Sequence, residues 1–196
     1  MTNELSIPLF ALHTVLYPGG PLPLRIFEPR YLDMVSACLR QGSGFGVCLI
    51  RSGKEVGMAA QTYDVGTLSS IVDWHMRHDG LLGVTVRGQQ RFRIVSEQVQ
   101  PNQLIIADVE LIPPESEMDV PAEYLSLVDL LRQMIEQIGH HYSSIPRKFA
   151  DASWVSCRLA ELLPIPLVQK QHLLQLDNPL QRLDRLGNIV EQLGIR

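Results

Sequence analysis

With 196 residues, 45% of them hydrophobic and 19% charged, the chain has the composition of a folded protein, not a disordered one, and is long enough for one large domain or two closely packed ones. Its net charge of -4 is spread evenly, with 9 Lys/Arg against 11 Asp/Glu in residues 1–115 and 8 against 10 in residues 116–196. That balance disfavours a bulk nucleic-acid or anionic-membrane surface, and no apolar run approaches the length that spans a bilayer.

The first half reads as strands. Ile7 to Leu12, Leu22 to Leu24, Phe45 to Ile50 and Gly57 to Val65 are short apolar or mixed runs, and a Pro18-Gly19-Gly20-Pro21 turn separates the first two. Leu81 to Val86 and Arg91 to Val95 form the clearest strand pair, with Arg87-Gly88-Gln89-Gln90 between them as a turn. Val84 and Val86 share one face, as do Phe92 and Ile94, while Arg91 and Arg93 point the other way. Ile105 to Ile112 adds a further strand.

One helix interrupts these strands. Glu28 precedes Pro29, whose missing N–H costs nothing at the first helical position. Leu32, Val35 and Leu39 then fall on one stripe, and Gly42 is placed to end the helix. Many short strands with glycine turns point to a small barrel or sandwich, with the helix covering an open end.

Composition shifts at Pro113-Pro114-Glu115-Ser116, and the pattern beyond is helical. Tyr124, Val128, Leu131, Ile135 and Ile138 recur at helical spacing after Pro121, and Ala152, Val155, Leu159 and Leu162 repeat it. A short helix is expected over 167–175. The last helix has Asn178 as N-cap, Pro179 next and Gln181 at the capping-box position, with Leu183, Leu186, Val190 and Leu193 as its apolar face. The expected division is a β subdomain over 1–115 and a helical subdomain over 116–196.

The residues that could carry chemistry do not assemble into a catalytic motif. His75 and His78 lack further ligands at recognisable spacing, so turn or surface histidines explain them better than a metal pair. Asp73 and Asp79 read as solvated turns before they read as an acid–base pair. His140 and His141 suit the carbonyls at a helix end. Ser143, Ser144 and Lys148 read as a linker, since nothing fixes a Ser–Lys geometry. Cys157 has no histidine near it in sequence. Gly80, Gly83 and Gly88 form no phosphate loop, and no GxxxxGK[ST] motif occurs. No catalytic residue, cofactor or metal is assigned.

Arg87, Arg91 and Arg93 are the best electrostatic patch in the sequence and the candidate contacts for a bound polypeptide. Arg30 lies in the first helical turn, the end that favours negative charge. It therefore suggests a pairing, with Glu28 or a carboxylate elsewhere, or a place in a ligand groove. Pro18, Gly19, Glu28, Pro29, Arg30 and Tyr31 are read as a structural junction. Cys38, Cys48 and Cys157 form no CxxC motif and suggest free thiols in a reducing compartment. The start MTNELSIPLF lacks the features of a signal peptide, so a cytoplasmic location is expected.

Pro8-Leu9-Phe10, Tyr17-Pro18-Gly19, Pro23-Leu24 and Phe27-Glu28-Pro29-Arg30-Tyr31 together resemble the opening of the Lon protease amino-terminal, or substrate-binding, domain. Val84-Thr85-Val86-Arg87-Gly88, Arg91-Phe92-Arg93-Ile94, Leu159-Ala160-Glu161-Leu162-Leu163, Lys170-Gln171-His172-Leu173-Leu174 and Arg182-Leu183 extend the likeness to about residues 5–193. His13 and Tyr17 depart from that pattern, standing where a charged residue and phenylalanine are frequent.

The resemblance implies an α+β fold, a PUA-like small β-barrel with an inserted helix followed by a C-terminal helical bundle. It also implies a non-enzymatic polypeptide-binding or adaptor module without the protease's ATPase and peptidase modules. A PUA-like nucleic-acid-binding module is the main alternative and a small hydrolase a weaker one. The expected partner is a protein or unfolded polypeptide; membrane and nucleic acid are disfavoured, and homo-oligomerisation is left open.

Overall fold

The computed structural model describes residues 4–138, 142 and 145–195. The chain divides into two compact units, Met1–Pro113 and Pro114–Arg196. His140, His141, Ser143 and Ser144 lie outside the described residues.

The first unit carries strands β1 (Glu4–Leu12), β2 (Pro21–Ile26), β3 (Phe45–Ser52), β4 (Gln61–Thr62), β5 (Val65–Met76), β6 (Leu82–Val99) and β7 (Ile105–Leu111). Helix α1 (Pro29–Gln41) follows β2; its Pro29 is at the first turn and Gly42 ends it in the left-handed region at φ 62°. Phe10, Tyr31, Val35, Phe45, Val84 and Val86 form part of the core under α1. A second cluster gathers Leu9, Cys48, Phe92, Ile105 and Val109.

The PUA-like small β-barrel expected from the sequence requires correction. The described strands form one seven-stranded mixed sheet whose path runs β1-β7-β6-β5-β3-β4, ending on the two-residue β4. β2 branches off that path onto β6, and β1 also runs parallel to β3, from Leu9 opposite Gly46 to Leu12 opposite Leu49. The unit is therefore α+β on a mixed sheet, not a barrel. Apolar alternation marks a strand and its faces but carries no information about partners, and β6 changes partners along its length. Its first part lies between β2 and β5, its last part beside β7.

The expected hairpin at 87–90 is also replaced. β6 is one continuous strand of 18 residues, and Gly88 sits inside it. Glycine is needed there because another backbone approaches: a Cβ on Gly88 would lie 2.2 Å from the Tyr17 carbonyl oxygen. The strand expected over 57–65 reduces to β4 and the start of β5.

The second unit contains α2 (Leu125–Ile138), α3 (Ala152–Leu162), α4 (Leu167–Leu174) and α5 (Pro179–Leu193), with a 3₁₀ turn at Ala122–Tyr124. Asp151 caps α3 by accepting from the Ser153 N–H, and Asn178 caps α5 by accepting from the N–H groups of Leu180 and Gln181. Leu131, Val155, Leu159, Leu183 and Leu186 are fully buried. Of the residues expected on the apolar face of α5, Val190 is half-buried and Leu193 is exposed.

Candidate functional site

The Pro18-Gly19-Gly20 turn is docked onto the middle of β6. The Gly20 N–H donates to the Tyr17 carbonyl at 3.0 Å, and Gly19 takes a positive φ of 76° that glycine tolerates without steric cost. The Gly19 N–H donates to the Gly88 carbonyl at 2.8 Å, and the Gly88 N–H donates back to the Gly20 carbonyl at 2.9 Å. Tyr17 is fully buried beneath this contact.

Arg30 is buried at the start of α1. Its Nη1 donates to the Gly57 and Gln103 carbonyls at 2.8 and 2.9 Å, and its Nη2 to the Glu55 carbonyl at 3.2 Å. Its Nε stands 3.6 Å from the Glu28 carboxylate. The guanidinium therefore clamps the loop before β4 and the β6–β7 turn to the first turn of α1. Gln103 answers from the other side, accepting from the Ala59 N–H at 3.2 Å.

Tyr31 stacks on Phe10 with ring centroids 3.9 Å apart, and burial pushes its phenol up. Glu28 makes no side-chain cap to α1; its place is beside Arg30. Together these contacts hold backbone segments in place.

The three candidate arginines do not form one patch. Arg93 is exposed and lies across the strand from Glu110, Arg87 is half-buried opposite Pro21 and Ser70, and Arg91 is buried. The outward direction expected for Arg91 is thus corrected. Arg91 and Phe92 are both buried, so β6 is covered on both faces here, and alternation sorts residues by solvent only where one face is wet.

Asp73 and His75 belong to β5 rather than to a turn, with Asp73 Oδ2 and His75 Nδ1 4.0 Å apart. His78 and Asp79 occupy the β5–β6 connection, where Asp79 accepts from the Leu81 N–H at 3.1 Å. That bond, with Arg77 and Arg25 nearby, holds the Asp79 carboxyl below its usual range. Among the described residues no group of three or more His, Cys, Asp or Glu is arranged to hold a metal ion.

The second unit is tied by buried ions. Arg182 grips the Glu115 carboxylate with both Nη atoms, and its Nε donates to the Leu173 carbonyl at 3.0 Å. Ser153 Oγ also donates to Glu115, at 2.6 Å. Glu161 accepts from Tyr142 Oη and pairs with Arg158 at 2.9 Å. Burial raises the Glu161 carboxyl, with Arg158 pulling the other way. Cys157 is buried and lies 3.5 Å from Arg182 Nη1. These charged groups pair with one another inside the second unit.

The sequence reading missed the second half of β5. Val72, Trp74 and Met76 are exposed there, Trp74 at 59% and Met76 at 69%. Three apolar residues at every second position were the available signal.

The first unit is a mixed sheet with a clamped helix and the second a set of helices tied by buried ions, an α+β architecture. Residues 6–192 match the family described as the ATP-dependent protease La (LON) substrate-binding domain, and the chain belongs to that family.

A Lon N-terminal domain protein from Xanthomonas campestris has a crystal structure that is 38% identical, with a TM-score of 0.79 over 94% of this chain and 98% of that one. The N-terminal domain of the Mycobacterium avium complex Lon protease shares the fold at 17% identity, with a TM-score of 0.63 over 94% of this chain and 97% of that one. Lon protease 2 of Herpetosiphon aurantiacus is 28% identical over 97% of this chain but only 24% of its own length. The chain therefore spans about a quarter of that curated relative. Among the described residues no helix is long and apolar enough to cross a membrane.

Proposed function

We propose that this domain recognises unfolded polypeptide and presents it to a partner, as a cytoplasmic substrate-binding or adaptor module. The observation that carries the reading is the match of residues 6–192 to a substrate-binding domain. The net charge of -4 supports a polypeptide over a nucleic acid as the ligand. Of Arg87, Arg91 and Arg93, Arg93 is the one exposed enough to order polar groups of a bound chain. Glu110 across the strand limits how anionic that partner is.

The test is equilibrium binding to two labelled probes, reduced carboxymethylated α-lactalbumin as a permanently unfolded chain and a single-stranded RNA of mixed sequence. Saturable binding of the unfolded chain, with RNA at least tenfold weaker, is the expected result. Tighter binding of the RNA overturns the reading.

A further inference from the structure

β5 pairs with β3 only as far as Ser69, which faces Phe45. From Ser70 to Met76 its one neighbour among the described strands is β6, so its other edge offers unclaimed backbone groups. β2, which pairs only with β6 among the described strands, is built differently. It carries Pro21 and Pro23, which lack an N–H and so obstruct strand addition. β5 has no proline or lysine over 70–76, and it exposes Val72, Trp74 and Met76.

Trp74 and Met76 share a face, opposite Val84 and Leu82 of β6, and Val72 lies at a bulge in the pairing. Where β5 parts from β3, a pocket of about 300 Å³ opens beside it. Leu39 of α1 and Leu68 and Ile71 of β5 give it an apolar side, Ser69, Ser70 and Gln89 a polar one, and Leu39 is 40% exposed. A backbone edge joined to a pocket with an apolar side is the arrangement by which an added strand is held and selected. Main-chain bonds supply affinity independent of sequence, and the pocket supplies preference.

A second copy of this chain fits the site poorly. Pairing β5 with itself antiparallel about Asp73 sets two carboxylates directly opposite, which is unfavourable. Pairing about Trp74 removes that clash, but brings His78, Asp79 and Gly80 of the copy over Ser70, Ser69 and Leu68, and these do not fill the apolar side of the pocket. An extended foreign segment can place an aliphatic side chain in the pocket and further apolar residues against Trp74 and Met76. Ile71 to Met76 spans about 17 Å at strand spacing, so some seven residues suffice.

We propose that the free edge of β5 over residues 70–76, with the pocket at Leu39, takes an extended apolar segment of an unfolded polypeptide as an added strand. This rests on the polypeptide-binding reading and specifies where and in what conformation the ligand is held.

The test uses a fluorescein-labelled seven-residue peptide of alternating valine and threonine with leucine at one end. Two twins are N-methylated at odd or at even amides. Strand addition uses alternate amides, so one twin should lose at least tenfold in affinity while the other keeps it. Trp74→Glu and Leu39→Glu, both at exposed positions, should each weaken the parent peptide at least fivefold, with Leu193→Glu in the helical unit as control.

Equal binding of both twins, or unchanged binding by both variants, overturns the proposal. A dimer in sedimentation that Trp74→Glu dissociates and that excludes the peptide also overturns it, in favour of a second copy. If carboxymethylated α-lactalbumin binds the wild-type domain and both variants alike, the edge assignment falls while the polypeptide reading stands. If it does not bind the wild-type domain at all, the polypeptide reading itself falls.

Discussion

Gly88 lies against Tyr17 so closely that a Cβ at Gly88 would stand 2.2 Å from the Tyr17 carbonyl oxygen. The obstacle is backbone, not the end of a flexible side chain, so relief requires moving either the Pro18-Gly19-Gly20 turn or β6. Gly88→Ala should therefore lower stability by about 2–3 kcal/mol, a large but not exceptional effect for one methyl group. Urea unfolding measures it as a lower midpoint at unchanged slope. An unchanged midpoint would show that the turn is not held against the strand.

Arg30 makes a second such prediction. Arg30→Ala removes donors from the carbonyls of Glu55, Gly57 and Gln103, and should cost about 3 kcal/mol given the usual worth of charge-assisted bonds and the penalty for stranded acceptors. Arg30→Lys should recover only part, because an ammonium has no planar fork to span those separate oxygens. Hydrogen exchange in both variants should rise first at residues 55–59 and 100–104. Uniform acceleration across the unit would contradict the clamp.

In the helical unit, Glu115 and Arg182 are 67 positions apart in sequence and bound to each other in the interior. Breaking one partner strands the other, so Glu115→Gln should destabilise by about 3 kcal/mol. The double variant Glu115→Gln with Arg182→Met should cost clearly less than the two single changes added together. Strict additivity in a urea double-mutant cycle would dissolve the pair.

The pH dependence follows from burial. Burial raises the thiols of Cys38 and Cys48 and the phenols of Tyr31 and Tyr142. Each folded group keeps a proton that its unfolded counterpart has released, so stability falls as pH rises past the ordinary thiol value of 9.0. Lys170 acts the opposite way. Burial lowers it, the unfolded chain binds that proton more tightly, and stability gains with pH in the range below its ordinary value of 10.5. Urea midpoints should decline from pH 8 to 10.5, and Lys170→Met should steepen the decline. A flat profile would contradict this assignment.

How much of this was legible depended on how far apart the interacting residues are. α1 and α5 were readable because their signals are local: Pro29 and Gly42 bracket one, and Asn178 with Pro179 opens the other. The junction at Glu28 to Tyr31 was visible as a motif, but the three carbonyls that receive Arg30 come from segments 25 to 73 positions away. Arg91 was read as pointing outward, and the buried Arg158 and Arg182 were not singled out, because a sequence shows a charge and not its surroundings. Gly88-Gln89-Gln90 has the composition of a turn, and only the packed Tyr17 backbone explains a glycine inside a strand. The second half of β5 carried a period-two signal in Val72, Trp74 and Met76, but Asp73 and His75 between them were read as turn or surface residues.

Holding polypeptide in an unfolded form is the function proposed for this domain. Its most direct test compares one protein in two states, using labelled α-lactalbumin either native or reduced and carboxymethylated, titrated with the domain under identical salt and pH. At least tenfold tighter binding of the unfolded state is the predicted result. Equal affinity for both states, or a preference for the native one, would contradict the account.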